Sequence, residues 1–91
     1  MLTRDARLKI PEQVVTRQVG DETVLLNLES GTYFGLDPVG SRFLELLQTE
    51  GALAAIIARM LEEFEVTEAQ LEADLFQLSE EMLASGLLEA A

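Results

Sequence analysis

The side chains of this chain that could take part in chemistry are almost all carboxylates. Its 91 residues include 17 Asp and Glu against 6 Lys and Arg, with neither His nor Cys. That composition removes the imidazole base, the thiolate nucleophile and the thiolate metal site. Carboxylate pairs remain, such as Glu62-Glu63 and Glu80-Glu81, which could in principle divide acid and base work between them. Neighbours on a helix, however, point about 100° apart and do not converge on one substrate. There is also no glycine-rich phosphate loop and no motif of metal-ligand spacing. The carboxylates read as solvated faces, so no enzyme activity, no cofactor and no metal are expected.

The placement of charge says more than the formal total of -11. Arg4, Arg7 and Lys9 lie in the first nine residues, Arg17, Arg42 and Arg59 follow singly, and no basic residue comes after Arg59. Nucleic-acid phosphates and anionic lipid surfaces are repelled by such a surface, whereas a cationic peptide or basic protein is steered toward it. The same charge also keeps a small domain soluble. No apolar run approaches the ~20 residues of a membrane span, and the first eleven residues lack the apolar centre of a secretory signal. Together with the missing cysteines this predicts a cytoplasmic protein with no membrane and no nucleic-acid partner. The length fits a single domain over 1–91, in which residues 1–12, ended by Pro11, form a loosely held lead-in.

Strand signals fill the first half. Residues 14–19 alternate weakly up to the turn signal Gly20-Asp21, and 23–29 form a second strand. In that strand Val24, Leu26 and Leu28 share one face and Leu25 and Asn27 the other, so one face is buried and the other partly so. The stretch 30–38, Ser-Gly-Thr-Tyr-Phe-Gly-Leu-Asp-Pro, organises the rest. Gly31 supplies a positive φ for a tight turn, and 32–36 favour an extended chain weakened at Gly35, which leaves room for another backbone. Asp37 then caps a helix that starts at Pro38. The result is an antiparallel meander whose third strand has one neighbour.

Helical spacing governs the second half. Val39, Phe43, Leu46 and Leu47 mark a helix over 38–48, and a break at Glu50-Gly51 precedes a second over 52–64 with the core stripe Leu53, Ile56, Ile57, Met60, Leu61 and Phe64. Thr67 with Gln70 makes a capping box for a third helix over 68–85, stopped by Gly86. This helix projects two apolar stripes, one of Leu71, Leu75, Leu78 and Met82, the other of Phe76, Leu83 and Leu87, divided by Glu72 and Ser79. A three-stranded antiparallel sheet followed by three helices defines an α+β, winged-helix-like fold. DNA reading is excluded, because the third helix carries Glu68, Glu72, Asp74, Glu80 and Glu81 without a basic residue. An acidic winged-helix module that binds a basic protein remains open.

The order Val24-Leu25-Leu26-Asn27, then Gly31-Thr32-Tyr33-Phe34-Gly35-Leu36-Asp37, then Gly40, Phe43 and Leu47, then Leu71-x-x-Asp74-Leu75-x-x-Leu78 and Gly86-Leu87-Leu88 resembles the PqqD-like family. The family comprises RiPP recognition elements: the peptide chaperone of pyrroloquinoline quinone synthesis and the leader-binding proteins of lasso-peptide pathways. The resemblance implies that the leader segment of a precursor peptide adds as a strand between the third strand and the third helix. Main-chain hydrogen bonds would then supply affinity and alternate side chains selectivity. By position, the implied peptide-binding residues are Thr32, Tyr33, Phe34 and Gly35 on the strand and Leu71, Asp74, Leu75 and Leu78 on the helix. Asp74 would meet a leader Lys or Arg or a backbone N–H. Ser79 stands where members often carry a second large apolar residue, and the Phe76-Leu83 stripe is the other helix face that can border the cleft. A separate processing enzyme, a leader protease or a radical enzyme, is the implied second partner. The acidic chain suits the Lys-rich leaders of lasso-peptide precursors better than quinone-cofactor synthesis.

Overall fold

The computed structural model describes residues 2–91. Its elements run β1 (Leu8–Lys9), β2 (Val14–Val19), β3 (Glu22–Asn27), β4 (Tyr33–Leu36), α1 (Pro38–Glu50), α2 (Leu53–Glu63), α3 (Glu68–Ala84) and β5 (Glu89–Ala90). The three-stranded antiparallel sheet has the order β2-β3-β4, and three helices follow it, the α+β arrangement that the sequence predicts. Gly20 and Gly31 take φ of +67° and +76° at the two hairpin turns, where a side chain would be strained.

The sheet buries the face opposite to the one its apolar count suggests. Leu25 is 0% and Asn27 4% exposed, whereas Val24 and Leu26 are half-buried and Leu28 lies in solvent. Asn27 explains both this and the early end of β3. Its Oδ1 accepts from the N–H groups of Glu29 and Ser30 at 2.9 and 3.1 Å, and its Nδ2 donates to the Gly86 carbonyl at 2.8 Å. A buried amide with these partners fastens the β3–β4 turn to the end of α3, so Leu28 leaves the strand.

The helices begin and end where local chemistry dictates. Asp37 accepts from the Gly40 N–H at 2.8 Å, with Pro38 in the first turn, and Gly51 ends α1 at φ +87°. Thr67 accepts from the Gln70 N–H at 3.2 Å, but the Gln70 amide donates to Asp74 at 2.8 Å instead of turning back, so half of the capping box forms. Gly86, at φ +74°, closes α3, with the Leu87 N–H donating to the Met82 carbonyl. On α3, Ser79 is fully buried, so the two apolar stripes merge into one face rather than standing apart. Its large residues join Leu25, Phe43, Leu44, Leu53, Ile56, Ile57 and Met60 in one core.

The opening residues are not loosely held. β1 pairs antiparallel with β5, Leu8 is 5% exposed, and Arg7 bridges Ala52. The Ala6 and Arg4 carbonyls accept from the N–H groups of Leu53 and Ala54 at 3.0 and 2.8 Å, which caps an α2 terminus that has no side-chain cap of its own. Single basic residues and one proline masked this role, because the pairing partner lies at the far end of the chain. Met1, the start of the expected lead-in, lies outside the described residues.

Candidate functional site

Among the described residues β4 pairs with β3 alone, in the register Leu26↔Tyr33, Leu25↔Phe34, Val24↔Gly35 and Thr23↔Leu36. The Thr32 carbonyl accepts from the Asn27 N–H at 2.9 Å. Because antiparallel ladders alternate, Phe34 and Leu36 then turn their backbone groups toward β3, and Tyr33 and Gly35 turn theirs to the open edge. The edge is short. It begins after the Gly31 turn and stops at Asp37-Pro38, where the chain enters α1.

That edge opens on a cleft of about 500 Å³ whose far wall is α3. Phe34, Gly35, Leu36, Asp37, Val39 and Gly40 line one side, and Val66, Leu71, Asp74, Leu75 and Leu78 the other. Six of the eight residues implied by the resemblance are thus brought together: Phe34, Gly35, Leu71, Asp74, Leu75 and Leu78. Thr32 and Tyr33 are not among the lining residues. Thr32 belongs to the turn, where its hydroxyl accepts from Ser30 at 2.8 Å, and the Tyr33 side chain is 68% exposed. Of the two α3 stripes, the Leu71–Leu75–Leu78 side borders the cleft, while Phe76 and Leu83 pack as partly buried core.

Sequence reasoning missed Val39 and Val66 as site residues. Val39 reads as core by helical spacing yet stays 37% exposed, and Val66, 45% exposed, sits in the short α2–α3 connection without any periodic signal. Gly40 matters for a different reason: a Cβ there would stand 3.2 Å from the Leu36 side chain and 3.3 Å from Asp37 Oδ1. The glycine lets the first turn of α1 sit against the end of β4 and so shapes that wall.

The lining is apolar apart from two carboxylates. Asp37 is engaged by its helix, whereas exposed Asp74 is steadied by Gln70 and keeps oxygen capacity for an incoming donor. Among the described residues no basic side chain lines the cleft. The ion pairs that depress carboxyl pKa values lie elsewhere. Arg4 hydrogen-bonds Glu72 and lowers its pKa, and Arg42 does the same to Glu63 at 2.8 Å. Among the described residues no group of three or more acidic side chains is placed to hold a metal, and no helix is long and apolar enough to cross a membrane.

The site is an apolar slot between α3 and a strand edge that is unpaired among the described residues, with the Asp74 carboxylate on its rim. Residues 22–88 match the family described as "Coenzyme PQQ synthesis protein D (PqqD)", and the chain belongs to that family. A solved structure described as "TbiB1 in Complex with the TbiA(beta) Leader Peptide" is similar at 40% sequence identity and a TM-score of 0.83, covering 89% of this chain and 94% of that one. Among curated proteins none matches the chain.

Proposed function

We propose that residues 1–91 act as a single cytoplasmic domain that binds the leader segment of a ribosomally made precursor peptide and presents it to a separate processing enzyme in lasso-peptide biosynthesis. The observation that carries this reading is the unpartnered β4 edge opening directly onto the α3 wall. The leader adds as a fourth strand, hydrogen-bonding to the backbones of Tyr33 and Gly35. Its alternate side chains fall beside Phe34 and enter the pocket of Leu71, Leu75 and Leu78. Thr32 ends the edge and Asp74 takes a leader Lys or Arg. The similar solved structure, a complex with a leader peptide, supports leader binding. The domain performs no chemistry of its own; it raises the local concentration of the precursor at its partner, a leader protease.

Calorimetric titration with a synthetic leader from the neighbouring precursor gene tests this. Leu78→Ala on the cleft wall and Asp74→Lys should each weaken binding by ~1–3 kcal/mol, the range of an interface anchor. Wild-type affinity in both folded variants would remove the cleft assignment. A second reading, peptide chaperone in pyrroloquinoline quinone synthesis, draws on the family's description; it requires a radical enzyme, not a protease, among the gene neighbours.

A further inference from the structure

The outer face of the sheet, away from the helices, carries two cross-strand rows: Val15–Leu26–Tyr33 and Arg17–Val24–Gly35. The first row ends at the free edge in an exposed tyrosine, the second in a glycine with no side chain at all. Nothing among the described residues calls for that glycine. Gly35 does not take a positive φ, and a Cβ built on it meets no atom within 4 Å. A β-branched or aromatic residue would fit here and strengthen a strand that glycine weakens. The room over Gly35 is therefore left for something that comes from outside.

We propose that Gly35 forms the floor of a second peptide subsite on the outer sheet face, flanked by Tyr33 and Val24, which takes a large flat apolar side chain, an aromatic ring above all, from the outward-pointing residue of the added strand. This inference rests on strand addition at β4. Residues of that strand opposite Phe34 and Leu36 share their face and point into the cleft, so the residue between them stands opposite Gly35 and points outward, whichever direction the strand runs. Val24 lies two strand spacings away, roughly 9.5 Å, with the bare glycine between. A ring laid back across Gly35 spans that gap and reaches Val24 while its edge meets Tyr33; alanine does not reach. Aromatic residues cover edge-strand glycines in this way in other sheets. The domain then selects three consecutive residues, two by the cleft and the middle one by the outer face.

Two labelled peptides, Ser-Lys-Leu-Tyr-Leu-Ser-Ser and its Ser-Lys-Leu-Ala-Leu-Ser-Ser counterpart, serve as probes because their leucines pin the register in the cleft. NMR titration of the wild-type chain should show the tyrosine peptide binding about two- to fivefold tighter, the usual range of a cross-strand aromatic pair. It alone should shift the Val24 and Leu26 amides. Whatever Gly35→Val does to both affinities, their ratio should fall to about one, and Gly35→Ala should give an intermediate ratio if the valine variant does not fold. Equal affinities in the wild type, or a ratio unchanged in the variants, overturns the outer subsite while cleft shifts at Phe34 and Leu75 still uphold strand addition. If neither peptide moves those cleft amides, strand addition itself fails and the subsite with it.

Discussion

Two strand edges in this molecule meet opposite fates. Near the N-terminus, β1 is paired by β5, and the Ala91 N–H donates to the Arg7 carbonyl at 2.9 Å. The same segment caps α2 with its carbonyls and grips α3 through Arg4, which pairs with Glu68 at 2.6 Å and with Glu72. At β4 the backbone groups of Tyr33 and Gly35 face an apolar slot instead, and no segment of the described chain fills it. Buried backbone groups must find partners. The molecule meets that demand internally at one seam. At the other it leaves the groups to water beside apolar walls whose desolvation would favour an incoming strand.

Equal truncations on the two seams should break this comparison most sharply. Leu8→Ala removes a side chain that is 5% exposed and should cost about 2–5 kcal/mol in urea unfolding at an unchanged m-value. Half-buried Leu78 on the cleft wall should cost only about 1 kcal/mol on the same change. Leader affinity should follow the reverse order. Were Leu78→Ala as destabilising as Leu8→Ala, the slot would be sealed core and not an open site.

The amide of Asn27 links the seams, since it ties the turn before β4 to the end of α3. Asn27→Ala strands the Gly86 carbonyl and two turn N–H groups, and should cost about 1–3 kcal/mol. Amide exchange at Phe34 and Leu36 should accelerate with it, showing that the open edge is held rigid from behind. Exchange that speeds only near the N-terminus would mean that the turn is fastened by something else.

What the sequence discloses follows the range of the interactions. The β2–β3 and β3–β4 hairpins, the Asp37 and Thr67 caps and the Gly86 stop each depend on residues a few positions apart, and all are legible. So is the stripe Leu71–Leu75–Leu78, because a helix face is a matter of spacing. That this stripe and not Phe76–Leu83 borders the cleft is not legible, because spacing cannot say which element packs against which face. The sheet's buried face is not, because alternation alone cannot say that Asn27 has a partner 59 positions away. β1 escapes for the same reason, since its strand partner is at the other terminus. Tyr33 shows a third limit: its position at the edge is legible, yet its side chain belongs to the outer face because β4 must bury Phe34 and Leu36.

The smallest expected effect concerns the exposed clamp that closes the sealed seam. Arg4 donates from Nε to Glu72 at 3.1 Å, and this hydrogen bond outweighs burial to hold the Glu72 carboxyl below its ordinary value of 4.5. A carboxyl whose folded pKa is depressed stabilises the fold fully above the ordinary value, and that contribution fades as pH falls through the lower folded value. Protonating the unpaired carboxylates works the other way, because a chain of charge -11 gains stability as its self-repulsion is relieved. One pH profile mixes the two, so the readable quantity is the gap between wild type and Arg4→Ala. In thermal melts that gap should be small at pH 7, narrow in high salt as exposed pairs do, and close as pH drops below about 4.5. The Arg42–Glu63 pair, shifted in the same direction, remains in both proteins and cancels. A gap that persists unchanged on acidification would show that Arg4 acts through packing against α3 and not through its charge.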